Sequence, residues 1–562
     1  MSQSQSFNLV SDPWIKVLKK DYNETEVSLI ELFDNSSEYL QLSGDMKSQD
    51  LAILRLLLAI LLSIYTRFDT DGNQYDWVDL DDGWRVIKID EDDVKTIGRS
   101  LLKTWKTLYS QKNFSSKVAE YLEKYKSKFD LFGETPFYQV NATVYDQNVP
   151  ENKQIVKGKG TVTVKQINRR ISESNNTPSI FSPKTENEKN KINFAELARW
   201  LITYQNYTGV TDKTKVNAKN KFSVSPGWLY SINPVYIKGK DLFDTLMLNL
   251  NLADYDKNEL ETQLCQKPVW EYDDINEYIQ QRLSGMFPDN LAELYTVWSR
   301  MLHIEWKNEQ PTIFSAGLPK LDNKNIFLEP MTTWRKNKDN EEFPATRNKN
   351  HLNEAIWRNF GQYIKVKKEG NYRVPGIINW INKLKSEKIL AKHDNVNVTT
   401  IAMISDVNAT SQAPYAEVVD NMDAKADVLF DNAPDIARQW PTRIENEVLN
   451  TQKIATYFYW FAKEVSKLRG NDDKNSGWAS KEVAQLYDKL NLPFYSWLAS
   501  LKSNDDRDEK VQEWRDNLNK IVAIQAGNIF RDATANEIIG RDKDNIFTSY
   551  NKLRRNVYVS LK

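Results

Sequence analysis

The chain has 562 residues and a mass of 65.5 kDa, too long for one ordinary hydrophobic core and enough for three or four units at about 150 residues each. Hydrophobic residues make up 40% and charged residues 27%, with 17 Trp, 26 Tyr and 22 Phe; this apolar material offsets chain entropy and excludes global disorder. With 76 Lys+Arg against 77 Asp+Glu the formal charge is -1, which excludes a generally polybasic protein and confines any nucleic-acid site to local patches.

A lone cysteine, Cys265, has no internal disulfide partner, and the three histidines, His303, His351 and His393, lie far apart. Neither a disulfide scaffold nor a Cys/His zinc site is expected. The first six residues are polar, without the basic and apolar regions of a secretory leader, so a reducing, cytoplasmic location is expected. The strongest apolar run, residues 51–64 (LAILRLLLAILLSI), is interrupted by Arg55 and is shorter than the roughly 20 residues that cross a bilayer. It reads as a buried core helix, and no membrane association is expected.

In chain order, residues 7–18 (FNLVSDPWIKVL) and 26–33 are rich in β-branched and aromatic residues and predict short strands. Helical spacing follows over residues 48–68, 92–111 and 115–128. Residues 141–163 are polar with little periodicity and predict a long exposed loop, where function often resides. Residues 193–207 (NFAELARWLITYQNY) return to helix, with Asn193 as cap and Glu196 at the capping-box spacing. Residues 325–334 (NIFLEPMTTW) and 396–404 (VNVTTIAMI) predict strands.

After Trp440-Pro441 the pattern changes. Ile444, Val448, Ala455, Phe458, Ala462 and Val465 recur at helical steps, as do Val511, Trp514, Leu518, Ile521 and Val522, then Ile546, Tyr550, Leu553 and Val557. With residues 483–501, interrupted at Pro493, these predict a C-terminal four-helix bundle joined by short polar connectors. The fold class is therefore α+β: a large mixed N-terminal domain, residues 1–437, followed by the bundle, residues 438–562.

The sequence carries no phosphate loop, no dinucleotide-binding glycine fingerprint, no nucleophile elbow and no EF-hand loop. The acidic doublets at 81–82, 92–93 and 505–506 fall beside expected helix starts, where carboxylates favour the macrodipole. No reaction is specified, and no cofactor or metal is expected. The basic stretches are more informative. Lys213, Lys215, Lys219 and Lys221 occupy nine residues without an acid, after Tyr204 and Tyr207 and before Phe222. That mixture suits a phosphate backbone with stacked bases, and it equally suits a solvated lysine-rich loop. A second stretch, Lys153, Lys157, Lys159, Lys165, Arg169 and Arg170, leads into a small-polar loop (ISESNNTPSIF) that offers donors without bulk. A third, Lys552, Arg554 and Arg555, lies on an expected bundle helix.

FNLVSDPWIKV followed by VSLIELF, the FDLFGETPFYQ segment at 129–139, the small-polar loop before Phe181 and the helical C-terminus occur in one order. In this the chain resembles CasA, the family of large subunits of the type I-E CRISPR surveillance complex Cascade, over nearly its full length through scattered short matches. The resemblance implies a non-enzymatic subunit that assembles with the other Cascade subunits and the CRISPR guide RNA. It further implies that this subunit reads a flanking motif (PAM) in target double-stranded DNA from the minor groove, helps open the duplex, and presents it to a helicase-nuclease. A minor-groove reader meets a degenerate pattern and needs small or polar residues plus a cation, and opening needs a wedge to offset unstacking. Sequence specificity itself is delegated to guide pairing.

Carried over by position, residues 410–414 (TSQAP) look like the family's hairpin tip, with Gln412 as wedge between Ser411 and Ala413. From chemistry alone the same residues are a turn after a strand. Lys320 matches the minor-groove lysine finger, with Lys324 the alternative register. Residues 172–177 (SESNNT), with Ser172, Asn175 and Asn176, lie where relatives have a glycine-containing loop that touches the motif. This chain has no glycine there, which puts the motif's identity in doubt. Cys265 alone excludes the zinc-binding cysteine cluster of some relatives. Residues 141–163 are similar in position to the family loop near the guide's 5′ end, and the bundle to the part contacting neighbouring subunits and the DNA path. Two other classes stand beside this one: a carbohydrate-active hydrolase, prompted by the Trp content and many carboxylates, and a structural scaffold without nucleic-acid contact.

Overall fold

The computed structural model describes the chain apart from residues 1–5, 91–93, 158–159, 169–183, 186, 209–212, 253–262, 308–309, 327, 365–371, 392, 406–413, 471–476 and 542–543. It divides into two compact units, one of residues 1–350, 375–380 and 399–419, the other of residues 351–374, 381–398 and 420–562.

In the first unit the strand Ile15–Lys19 pairs antiparallel with Glu24–Val27 on one side and Tyr39–Leu42 on the other. The expected second strand stops at Val27 because Ser28 accepts a hydrogen bond from the Glu31 amide (3.2 Å) and starts the helix Leu29–Asp34. The apolar run lies in the helix Lys47–Tyr65, which is long and apolar enough to cross a membrane, yet its apolar window is 94% buried inside the protein. It packs against the helices Lys117–Lys124, Phe194–Tyr207, Leu242–Asn249 and Leu291–Thr296, so it is the core helix its composition predicts.

Two cations enter this core with it. Arg55 meets Glu329 through two bonds of 3.1 and 3.0 Å, both side chains fully buried, and its guanidinium lies 4.2 Å from the Tyr295 ring centre. Just past the helix, Arg67 meets Glu271 through two bonds of 2.9 Å, and the Tyr121 hydroxyl donates to the same carboxylate at 2.6 Å. Buried charges persist only when paired and hydrogen-bonded in this way. Glu329 also explains why the described residues between 325 and 333 do not form the expected strand. Asn325 adopts a left-handed backbone (φ 56°), and Glu329 turns inward, accepting from Arg55, from the Met331 amide (2.9 Å) and from the Trp228 indole; only Trp334 begins a strand, Trp334–Lys336.

Residues 141–163 differ from the expected loop as well. Asn141 caps a helix, Ala142–Asn148, by accepting from the Val144 amide (3.0 Å), and two short 3-10 turns follow at Glu151–Lys153 and Ile155–Lys157. The Phe194–Tyr207 helix starts as expected at Asn193, which accepts from the Glu196 amide (2.7 Å), while the Glu196 carboxylate takes an ion pair from Lys184 (2.9 Å). The doublet at 81–82 lies between the paired strands Val78–Leu80 and Val86–Ile89 rather than at a helix start, with Asp81 bound to Arg85 at 2.7 Å.

The second unit contains, among its described residues, four long helices: Trp440–Leu468, Trp478–Ser500, Arg507–Arg531 and Ile546–Leu561. The first packs against each of the other three, burying the predicted stripe of Ile444, Val448, Phe458, Ala462 and Val465. Pro493 does not break the second helix. Phe494 stacks on Trp357 at 4.3 Å and the Trp357 indole donates to Asn491 (2.9 Å), so packing on both sides of the proline offsets its lost hydrogen bond. Asp506, of the 505–506 doublet, caps the third helix.

Candidate nucleic-acid interface

The lysine segment is built on the end of a long hairpin. Strands Arg300–Lys307 and Gln310–Gly317 pair antiparallel, and the chain on either side of Phe222 docks against the end of the second strand. Residue 215 forms a parallel bridge with Gly317, the Gly317 amide donates to Thr214 (2.9 Å), and the Val216 amide donates to Gly317 (3.2 Å). Val224 then pairs antiparallel with Pro319, the Ser225 amide donates to Leu318 (2.9 Å), and the Lys320 amide donates to Ser223 (2.8 Å). Gly317 is required there, because a Cβ would fall 2.5 Å from Val224.

Alternation along residues 213–216 sends Thr214 and Val216 inward and Lys213 and Lys215 outward. Lys219, Lys221 and Lys320 are also exposed. Two candidates about a hundred residues apart in sequence, the lysine segment and Lys320, thus belong to one loop cluster. The lysines are not equivalent. Lys215 donates its ammonium to the Phe222 carbonyl (2.7 Å) and lies 5.1 Å from that residue's ring, which closes the 215–222 loop on itself. Lys213, Lys219, Lys221 and Lys320 have no acidic partner among the described residues.

Lys324 differs. Its ammonium pairs with Glu341 at 3.0 Å, a bond that raises the Lys324 pKa and lowers that of Glu341. Asn337 holds the same carboxylate at 2.8 Å, at the turn between the paired strands Trp334–Lys336 and Glu342–Pro344. The Lys324 charge, unlike that of Lys320, thus has an acidic partner within the chain, in an exposed pair.

Gln412, Ser411 and Ala413 lie outside the described residues, as do Ser172, Asn175 and Asn176. The strands that flank the first set, Asn395–Ser405 and Pro414–Lys425, are neighbours in one sheet. On the second of them, Glu417 accepts from the amides of Ser48 (2.6 Å) and Lys47 (3.3 Å) at the start of the core helix, and Tyr415 carries the Lys349 ammonium 4.3 Å from its ring centre. The segment entering the 172–177 region is tied to the long hairpin, the Thr161 amide donating to Ile313 (2.8 Å) and Val162 bridging the same residue.

Several supporting residues escape sequence reasoning: Glu417, Glu329, Trp228 and Arg282. Arg282, on the helix Ile275–Ser284, is 2% exposed and donates to the carbonyls of Trp298 and Pro319 and to the Tyr278 hydroxyl. In sequence it is one polar residue on an amphipathic helix, and nothing in its spacing separates it from a solvated one. The third basic stretch is partly neutralised, Lys552 pairing with Glu464 at 2.8 Å.

The architecture is that of a mixed helical and stranded chain with a helical C-terminal part, presenting a basic loop cluster on one hairpin end. The sequence model of CRISPR-associated protein Cse1 matches residues 8–524. The chain belongs to this family. A curated relative, CRISPR-associated protein CasA/Cse1 of Thermus thermophilus, is 24% identical over 253 residues, which is 44% of this chain and only 40% of the relative. The fold is similar to that of Thermobifida fusca Cse1, with a TM-score of 0.77 at 22% identity over 99% of this chain and 98% of that one. It is also similar to a chain of a CRISPR RNA-guided surveillance complex, with a TM-score of 0.68 at 13% identity over 98% and 99%.

Proposed function

We propose that this chain is a non-catalytic large subunit of a type I-E Cascade, working in the cytoplasm with the other Cascade subunits and the guide RNA. In this reading it recognises the flanking motif of target double-stranded DNA, helps open the duplex for guide pairing and presents it to a helicase-nuclease. The observation that carries the reading is the joining of Lys320 to the Lys213–221 segment in one exposed cluster free of acidic partners among the described residues. Cations without acidic partners on a hairpin end suit phosphates and the minor groove, and the family is consistent with that reading.

Within this reading Lys320 is the minor-groove finger, Lys213, Lys219 and Lys221 track the backbone, and Lys215 shapes the loop that carries them. Gln412, with Ser411 and Ala413, is the wedge, and Ser172, Asn175 and Asn176 touch the motif. Two of the buried carboxylates, Glu329 and Glu271, are locked against Arg55 and Arg67 and so do not supply the acid pair a hydrolase needs. The test is capture of a guide-matched duplex by the guide-loaded remaining subunits, with and without this chain, for a permissive and a scrambled flanking motif. Stronger capture of the permissive target alone is expected. No change on either target would return the chain to the role of scaffold.

A further inference from the structure

We infer that Arg282 is a positioning residue for Lys320, setting how well the flanking motif is discriminated without touching DNA; this rests on the motif-reading role proposed for Lys320. Arg282 is buried, and one guanidinium nitrogen, Nη2, donates to the Pro319 carbonyl at 2.6 Å, the peptide that leads directly into Lys320. The other, Nη1, donates to the Trp298 carbonyl and to the Tyr278 hydroxyl (3.2 Å). Trp298 and Pro319 flank the open end of the long hairpin, whose strands run Arg300–Lys307 and Gln310–Gly317. A single planar fork therefore ties both chain ends together at the base of the finger.

The remaining bonds at this point run through the same peptides. The Tyr278 hydroxyl accepts from the Trp298 amide (2.8 Å), the Leu318 amide donates to Ser299 (3.1 Å), and the Lys320 amide donates to Ser223 (2.8 Å). Lys320 thus has its backbone held from two sides, by Ser223 and, through Pro319, by Arg282, while its side chain stays exposed. Among the described residues the hydrogen-bond acceptors of Arg282 are uncharged, so these bonds fix geometry, while the guanidinium charge also helps to hold down the pKa of the buried Glu293. A minor-groove cation discriminates only if its ammonium arrives at a set depth and register, because the groove's pattern is degenerate. A loosened Pro319 peptide leaves the charge in place and blurs its position.

The experiment compares full-length Arg282→Met, Lys320→Ala and the double variant, each assembled with the guide-loaded subunits. The readouts are affinity for a permissive and a scrambled duplex at several salt concentrations. Arg282→Met is expected to lower the permissive-to-scrambled preference roughly tenfold, the scale of one lost specific base contact, while leaving scrambled-target affinity and the salt slope at wild-type values. The double variant is expected to match Lys320→Ala. Additive losses, or equal weakening of both targets, would overturn the inference. If Lys320→Ala lowers the preference and Arg282→Met does not, the inference falls and the reading of Lys320 stands; if Lys320→Ala leaves the preference unchanged, both fall. Should the Arg282→Met chain fail to assemble, Tyr278→Phe removes the hydroxyl that bonds both Arg282 and Trp298. It is expected to give the same pattern at smaller size, and an unchanged preference would overturn the inference.

Discussion

The Glu417 carboxylate accepts the Ser48 amide at 2.6 Å, capping the core helix from a strand 369 residues further along the chain. The helix's own cap position, Met46, offers no side-chain bond, so the first amides find their acceptor on Pro414–Lys425. A carboxylate there meets both the unpaired donors and the positive end of the helix dipole. Glu417→Ala should therefore lower the stability of the isolated chain by about 1 to 2 kcal/mol. Glu417→Gln, which keeps an acceptor and loses the charge, should cost less. Equilibrium denaturation checks both, and equal stabilities across the three chains would show that the cap contributes nothing.

The lysine cluster makes a graded prediction for the assembled complex. Lys219→Ala and Lys221→Ala should each weaken capture of any duplex and reduce the slope of log affinity against log salt by roughly 0.9 per lost phosphate contact. Lys215→Ala should leave the slope closer to wild type, because its ammonium is bound to the Phe222 carbonyl; its effect should appear instead as faster amide exchange over residues 215–222. Identical slopes for every variant would remove this segment from the DNA path.

Lys320→Ala and Lys324→Ala should separate cleanly. Lys320 is exposed with no acidic partner among the described residues, so its loss should cut the preference between permissive and scrambled flanking motifs. Lys324 is paired with Glu341, and its loss should leave that preference intact. Capture assays on the two targets decide it, and the opposite pattern would move the finger to Lys324.

Stability should depend on pH through Glu293, which burial, reinforced by Asp289, pushes up to about 7 from an ordinary value of 4.5. A carboxyl whose folded value is raised binds its proton more tightly in the folded chain. Its contribution is present below the unfolded value and is lost as pH rises from about 4.5 towards 7. The loss should be on the order of a few kcal/mol. Urea denaturation between pH 5 and about 8 should show the decline, and Glu293→Gln should flatten it; an unchanged profile in the variant would assign the dependence to another group.

The buried Arg55–Glu329 pair predicts a strong asymmetry. Arg55→Met leaves a fully buried carboxylate with, among the described residues, the Met331 amide and the Trp228 indole, and should cost about 3 to 5 kcal/mol. Replacing both partners by Met should cost markedly less, since no charge is then stranded. Denaturation of the single and double variants checks this, and additive losses would argue against a shared charge network.

Much of the fold was legible in local pattern. The apolar run announced a core helix, Asn193 announced a helix start, and the spacing from Ile444 to Val465 announced a buried stripe. Each of these rests on contacts within a few residues, where periodicity and capping chemistry act. Some errors fell where a distant partner overrides local preference, others where a local cap competes with a strand or loop. Residues 325–334 look like a strand and instead turn Glu329 towards Arg55, 274 residues away. Pro493 looks like a helix break and is carried through by Trp357, 134 residues before Asn491. Ser28 ends a strand because its short side chain suits a cap better than a ladder.

The candidate site divides in the same way. By itself the sequence named the candidates: a lysine segment without acids and, through the family resemblance, Lys320 with Lys324 as the alternative register. Only the tertiary structure decided that Lys320 shares a loop cluster with that segment, that Lys215 is a strut, that Lys324 is paired with Glu341, and that a buried arginine holds the peptide before Lys320. The physical reason is that charge is a property of composition, whereas its availability depends on which groups the folded backbone brings within hydrogen-bonding distance. Those distances are set by pairings between segments far apart in the chain.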